Sequence, residues 1–515
     1  MLAAMFFCSA TTLTSCSHDD NPVNPTRQSI VILFETDVHC AINGYAKMAG
    51  LRDAVADTAW AALVSSGDFL QGGMSGAISH GKYITDIMRT MHYDAVTLGN
   101  HEFDYGVPRM HELLDKFNAP VVCCNYTDMK GHRIFAPYTI RNYGNRKVAF
   151  VGVLTPYTEL KAEWFAFHDA EGQSVYTLHD QTYTDMVQQA VDEARSKGAD
   201  HVVLLSHTGE DAASDPSDHL TSNYIISATQ GIDVVLDGHS HNVVDTLIKN
   251  SQGQLVPLVN TGSNFANIGK LWIGADGQMD ITLIPAEQVT QMSQTVDAEI
   301  ENVNQQMMEQ TSRVVMHSDY PLVVIDANGA SLTRRQETNT GDLTTDALRW
   351  LMKADIGMLL GGSIRKNIKQ GDITYGDIIN MLPFDNYAIK IQATGAQILE
   401  VLRQNTASLP TPESDFPQVS GLRYTINTAD HSITDVEVLQ TDGSYVPLSP
   451  TATYTVASTD YATINGGFRG LFTSCTVLQY TTTLYRDAFV QYVTDVLGGN
   501  IDQQYAEPQG RITIN

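Results

Sequence analysis

The chain has 515 residues, 43% of them hydrophobic and 17% charged, so it exceeds what one core usually serves and two domains or more are expected. That balance is the one of a globular protein rather than a disordered one. The formal net charge of −27 argues against nucleic-acid polymers as partners, because such a surface repels phosphate at long range. A small phosphate compound still fits wherever cations are concentrated locally.

The chain opens with MLAAMFF, then LTSC (Leu13–Cys16), then the polar spacer SHDDNPVNPTRQ with its two prolines. Apolar residues, small residues, a Cys and a solvated linker resemble the lipobox of bacterial lipoproteins, in which the Cys becomes the lipidated first residue. The expectation is an exported chain, tethered to a membrane through lipid at Cys16, in the periplasm or on the outer cell surface. The plainer alternative is a secretory signal with an incidental Cys. No later stretch of 18 or more apolar residues is long enough to span a bilayer. Cys40, Cys123, Cys124 and Cys475 lack CxxC spacing, and neither a disulfide framework nor a structural zinc site is expected from them.

Five times before residue 245 a short apolar run ends in residues able to bind a metal. SIVILFETDVH reaches Asp37 and His39, AALVSSGD reaches Asp68, and DAVTLGNH reaches Asn100 and His101. HVVLLSH ends at His207, and DVVLDGHSH ends at His239 and His241. Such runs read as buried strands. Between several of them lie helix-like segments, such as Asp185–Asp200. Strands alternating with helices imply an α/β domain whose ligands gather beyond the carboxyl ends of the strands. Asp37 and His39 are two apart, so in extended backbone both side chains leave on one side, and the same holds for His239 and His241. Carboxylates, imidazoles and an amide oxygen suit borderline or hard divalent ions, and two such ions can clamp an in-line phosphoryl displacement. Taken singly, Asp68 could cap a helix, Asn100 could make a turn and His207 could be a hydrogen-bonded structural residue. Recurrence at five strand ends favours ligands.

DVH, GDFLQGG, GNHEFDYG, SHTG and GHSH, in this order, resemble the calcineurin-like metallophosphoesterases, and specifically the periplasmic or extracellular 5′-nucleotidase/UDP-sugar hydrolase family. The likeness runs from about Ile30 to the C-terminus. It implies an α/β protein: an N-terminal metallophosphoesterase β-sandwich flanked by helices, linked by a helix to a smaller α/β C-terminal substrate-binding domain. It also implies two divalent metal ions, Zn, Mn or similar. Asp37, His39, Asp68 and His241 would hold one; Asp68, as the bridge, would hold the second with Asn100, His207 and His239. His101 matches the catalytic His of the family, and Asp104 can fix its tautomer. Thr36 and Cys40 stand where the family commonly has Asn and Gly.

From Thr290 to Ser312, Val296, Ile300, Val303 and Met307 mark one face of a helix that links the two halves. The expected division is 1–27 signal and linker, 28–288 metallophosphoesterase domain, 289–320 linker helix, 321–515 substrate-binding domain. The stretch Arg334 to Asn386 resembles the family's substrate-binding domain. By that resemblance Arg334 and Arg365 grip phosphate or a substrate carboxylate, Gly361 and Gly362 let backbone approach the ligand, Phe384 and Tyr461 sandwich a base, and Asn386 adds a polar contact. The family's G-G-D-G, whose Asp contacts ribose hydroxyls, is here GGFRG, with Phe468 at the Asp position. The expected activity is a 5′-nucleotidase acting on a small phosphate ester, with nucleotide sugars and di- or triphosphates as further candidates. The nearest rival is a 2′,3′-cyclic-nucleotide phosphodiesterase/3′-nucleotidase, and a rival of another class is an inactive ligand-capturing lipoprotein.

Overall fold

The computed structural model of the protein describes residues 28–159, 164–169, 173–210, 220–464 and 466–515. Cys16 and the lipobox lie outside them. The run SIVILFE forms β1 (Ser29–Glu35), a strand buried on both faces, as its unbroken apolar sequence requires. It lies parallel to β2 (Ala59–Ser65), and β2 lies parallel to the short β3 (Ala95–Val96). The apolar run Asp94–Leu98 therefore gives only two residues of strand, because the backbone turns at once into the GNHEF segment.

A second sheet holds β4 (Tyr138–Tyr143), β5 (Arg146–Leu154), β6 (His201–His207), β7 (Val234–Asp237), β8 (Val243–Lys249) and β9 (Leu255–Thr261). Its order is β8-β9-β7-β6-β5-β4, with β5, β6 and β7 parallel. The first sheet is completed by β10 (Asn267–Ile273), antiparallel to β1, and β11 (Met279–Pro285), in the order β11-β10-β1-β2-β3. The two sheets face each other: Ile30, Ile32 and Phe34 of the first share a buried core with Phe150, Val203 and Leu236 of the second.

Helices cover the outer faces. α1 (Tyr45–Val55) and α2 (Lys82–Met91) place Tyr45, Met48, Ile84 and Ile87 against the first sheet. α3 (Tyr183–Ser196) buries Val187, Ala190, Val191 and Ala194 against the second. The stripe expected at 296, 300, 303 and 307 forms: α4 (Gln294–Thr311) sinks Val296, Ile300 and Val303 into the core that α1 and α2 share, with Met307 half-buried against it.

The C-terminal half is a second α/β unit. α5 (Asn339–Met352) starts at Thr338, whose hydroxyl accepts from the amide of Gly341 at 3.0 Å. It packs with α6 (Tyr485–Asp495) on a sheet ordered β14-β12-β15-β13-β16, formed by β12 (Ile356–Leu360), β13 (Tyr387–Thr394), β14 (Pro417–Ser420), β15 (Thr453–Thr459) and β16 (Thr476–Leu484). A smaller sheet of Tyr445–Pro447, Ser432–Leu439, Leu422–Asn427 and Ile512–Ile514 lies beside it. Cys40, Cys123, Cys124 and Cys475 are free thiols. Among the described residues no helix is long and apolar enough to cross a membrane.

Candidate metal centre and adjoining pocket

The carboxyl ends of β1, β2 and β3 in one sheet, and of β6 and β7 in the other, open onto one place. There the ligand atoms of Asp37, His39, Asp68 and His241 all lie within 4.8 Å of one another. His39 Nε2 and His241 Nε2 are 2.9 Å apart, and His241 Nε2 is 3.4 Å from Asp37 Oδ1. The convergence does not come from extended backbone. Asp37, His39, Asp68, His239 and His241 all have positive φ, between 45° and 81°, so left-handed turns aim these side chains, not strand alternation. Such conformations cost non-glycine residues of order 1–3 kcal/mol each and gather at functional sites.

His207 ends β6, fully buried, with Nδ1 2.7 Å from the carbonyl of Ser66. Nε2 lies 3.1 Å from Asp68 Oδ2 yet makes no hydrogen bond, an orphaned buried nitrogen aimed at the cluster. That is the arrangement of an imidazole whose far N–H is held by a carbonyl and whose near nitrogen awaits a metal. Burial opposes a proton on His207, but Asp68 and Asp37 outweigh it and carry the imidazole up to about 10. The carboxylates demand a cation at this spot. Burial pushes His239 down to about 4 and lowers His39, which suits neutral ligands. His239 Nδ1 is 2.9 Å from Asn100 Oδ1, so these two also converge. The donor set fits divalent metal ions.

His101 and Asp104 meet as expected, with Nδ1 at 3.1 and 2.9 Å from the two carboxylate oxygens. The departures at 36 and 40 support the site without entering it. Thr36 Oγ1 donates to Asp37 Oδ2 at 2.7 Å, and buried Cys40 points its thiol at the carbonyls of Phe69 and Leu70.

Beside the centre lies a cavity of about 290 Å³ lined by Leu360, Ser363, Arg365, Phe384, Asn386 and Tyr461, together with Gly362 and Ser414. Phe384 and Tyr461 are 43% and 48% exposed, large rings left open to a ligand. The Arg365 guanidinium stands 5.9 Å from the Phe384 ring centroid. Arg334 is not in this lining; its backbone abuts Gly361 and its carbonyl accepts from the amide of Glu413. Gly361 and Gly362 are small for a local reason: a Cβ would stand 1.9 Å from the carbonyl oxygen of Thr333 or 2.2 Å from Ser414 Oγ. Phe468 turns away from the cavity, fully buried edge-to-face with Phe472.

The two halves touch around this cavity. The Tyr387 hydroxyl donates to the carbonyl of Asp104, and the Tyr105 hydroxyl to Asp385 Oδ2 at 3.1 Å. Arg486, fully buried, pairs with Asp385 and donates to the carbonyls of Phe384 at 3.0 Å and Ala77 at 3.3 Å.

Residues 314–473 match the family described as 5′-nucleotidase, C-terminal domain, and residues 65–256 match that described as bacterial capsule synthesis protein. A putative 5′-nucleotidase from Staphylococcus aureus shares the fold with a TM-score of 0.69 at 18% identity, over 94% of this chain and 99% of that one. The chain has the two-domain fold of solved 5′-nucleotidases, with the match to the 5′-nucleotidase C-terminal domain confined to residues 314–473. Among curated relatives, the trifunctional nucleotide phosphoesterase protein YfkN of Bacillus subtilis is 24% identical over 88% of this chain and 33% of its own length. The 5′-nucleotidase of Vibrio cholerae is 25% identical over 77% of this chain and 76% of its own. The chain spans between a third and three fifths of the length of the first curated relatives it matches.

Several site residues escape a reading by motif. Glu102 is buried and accepts from the amides of Asp68, Phe69 and Leu70 at 2.8–3.0 Å, bracing the loop that carries Asp68. Its signal was the acid three residues after Gly99, a helix-start pattern. Ser414, Asp385, Tyr387 and Arg486 gave no signal, since each is ordinary in its local sequence.

Proposed function

We propose that the chain is a dinuclear-metal phosphohydrolase that cleaves nucleoside 5′-monophosphates to nucleoside and phosphate. The contact of Tyr387 with the carbonyl of Asp104 carries the reading, because it ties the ring-lined cavity to the His101 turn. A flat base between Phe384 and Tyr461 and a phosphate at the Asp/His cluster describe one bridging substrate. Asp37, His39, Asp68 and His241 would hold one ion, and Asp68, Asn100, His207 and His239 the other. The bound ions supply Lewis acidity toward the phosphoryl oxygens. Asp104 holds Nδ1–H of His101, so the protonated imidazole presents Nε2–H, which stabilises charge on the transferring group and passes its proton to the departing oxygen, leaving a neutral ring. Arg365 pairs with an anionic group of the substrate, with Arg334 as the second cation. Residues 28–288 act as the metal-holding domain, 289–320 as the link and 321–515 as the substrate-binding domain, in an exported chain anchored at Cys16.

Phosphate release from AMP, 3′-AMP and 2′,3′-cyclic AMP by the metal-loaded protein tests the reading. Turnover of AMP alone supports it. Turnover of the cyclic and 3′ compounds in preference replaces it with the phosphodiesterase/3′-nucleotidase reading. Two bound metals without turnover of any of the three leaves a ligand-capturing lipoprotein.

A further inference from the structure

A second cleft, of about 550 Å³, lies at the other end of β12. That strand starts two residues after Ala354 of the cleft and ends at Leu360 in the wall of the Phe384 cavity, so roughly 13 Å of strand separates the two. The cleft sits between the end of α5, the smaller sheet and α6.

Its charge is unusual for a chain of net −27. Asp346, the one carboxylate in the lining, is used up by Ser420 Oγ at 2.5 Å, the Tyr505 hydroxyl at 2.8 Å and Arg511 at 2.7 Å. Arg349 and Lys353 stay without an ion-pair partner among the described residues. Arg349 is also held in place. Its Nε donates to the carbonyl of Asp355 at 2.9 Å, and its guanidinium lies across Gly421, where a Cβ would come within 2.7 Å of Nε. Both terminal nitrogens remain unpartnered among the described residues, a fork already oriented for a carboxylate or phosphate.

The walls speak for the rest of the ligand. Trp350 and Tyr492 meet with centroids 5.7 Å apart at 63°, forming a corner rather than a parallel slot. A flat base is held best between parallel rings. A corner takes a puckered ring, whose C–H faces rest on the aromatics while its hydroxyls reach groups such as the amide of Gln504. The face of Tyr445 is taken by Arg423, 4.3 Å from its centroid.

We propose that this cleft is a second binding site, independent of the metal centre, for an acidic saccharide of the uronate class, with Arg349 and Lys353 on its carboxylates and the Trp350–Tyr492 corner against its rings. Titration calorimetry of the full chain with trigalacturonate, with neutral galactotriose and with a non-hydrolysable adenosine 5′-phosphonate tests it. Trigalacturonate should bind, galactotriose should not, and Arg349→Met and Lys353→Gln should each weaken binding by about tenfold or more, the worth of one charge-assisted contact. AMP turnover should be unchanged in both variants. Lys353 is exposed at the end of α5, so its variant keeps the test valid if Arg349→Met folds poorly. No binding of trigalacturonate, equal binding of galactotriose, or indifference to both substitutions overturns the proposal. Phosphonate that displaces trigalacturonate and is itself lost in Arg349→Met makes the cleft a nucleotide site and overturns it too.

Discussion

Arg486 and Asp385 form an ion pair at the junction of the two halves, with the Arg486 side chain fully buried. Asp385 also takes the Tyr105 hydroxyl from the metal-bearing half, while Arg486 reaches the carbonyl of Ala77 there. One pair thus holds both the loop bearing Phe384 and the segment following His101.

Breaking a buried pair by removing one partner leaves an uncompensated charge and costs roughly 3–5 kcal/mol, whereas removing both costs far less. Arg486→Met should therefore lower the melting temperature more than the double variant with Asp385→Asn. In the double variant KM for AMP should rise with the metal content unchanged. A double variant as unstable as the single one counts against the pair as the junction's fastening.

His101 neighbours a ligand candidate and pairs with Asp104. His101→Ala should lower kcat by roughly 10²–10⁴-fold with both metals retained, and Asp104→Asn should act in the same direction but less. Elemental analysis beside kinetics checks this. Loss of metal in His101→Ala would make the imidazole a ligand.

The described lining of the Phe384 cavity contains no carboxylate, and Phe468 is sealed in the core. Ribose hydroxyls thus meet no buried charge that their absence would strand. AMP and dAMP should differ in kcat/KM by less than about tenfold, or 1.4 kcal/mol. Phe384→Ala should raise KM for both, by an amount in keeping with roughly 1–3 kcal/mol per stacked base.

Asp342 lies buried beside Glu337 and Arg511, and burial, only partly offset by Arg511, pushes its carboxyl up to about 8. A folded pKa above the unfolded one means stability that is whole below about pH 4 and is lost as pH rises through 8. One proton limits the slope to about 1.4 kcal/mol per pH unit. The melting temperature should fall between pH 6 and 9, and Asp342→Asn, which keeps an acceptor for the amide of Gln509, should flatten that fall. An identical slope in the variant would place the titration elsewhere.

The candidate ligand positions stood out because metal binding admits few residue types, and Asp37, Asp68, His207 and His241 recur where strands end. How they converge was not. Extended backbone at Asp37 and His39 was expected, and left-handed turns are found, because spacing alone carries no φ. Phe384 and Tyr461 were readable as rings in a motif, and both are exposed to the cavity. Phe468 stands where the family has its ribose-contacting Asp, yet its ring packs on Phe472, since a ring at that turn gains more from burial than from a half-polar cavity. Arg486 meets Ala77 across 409 residues of chain, and no local pattern encodes such a contact.

The metal-competent residues divide between two sheets. Asp37, His39, Asp68 and Asn100 follow strands of one, while His207, His239 and His241 end or follow strands of the other. Neither sheet can assemble the constellation alone. A chain whose sheets had slipped against each other would offer scattered imidazoles and carboxylates but no common focus, so the seam would act as a proofreading joint: the full constellation would load with metal only in a correctly mated sandwich.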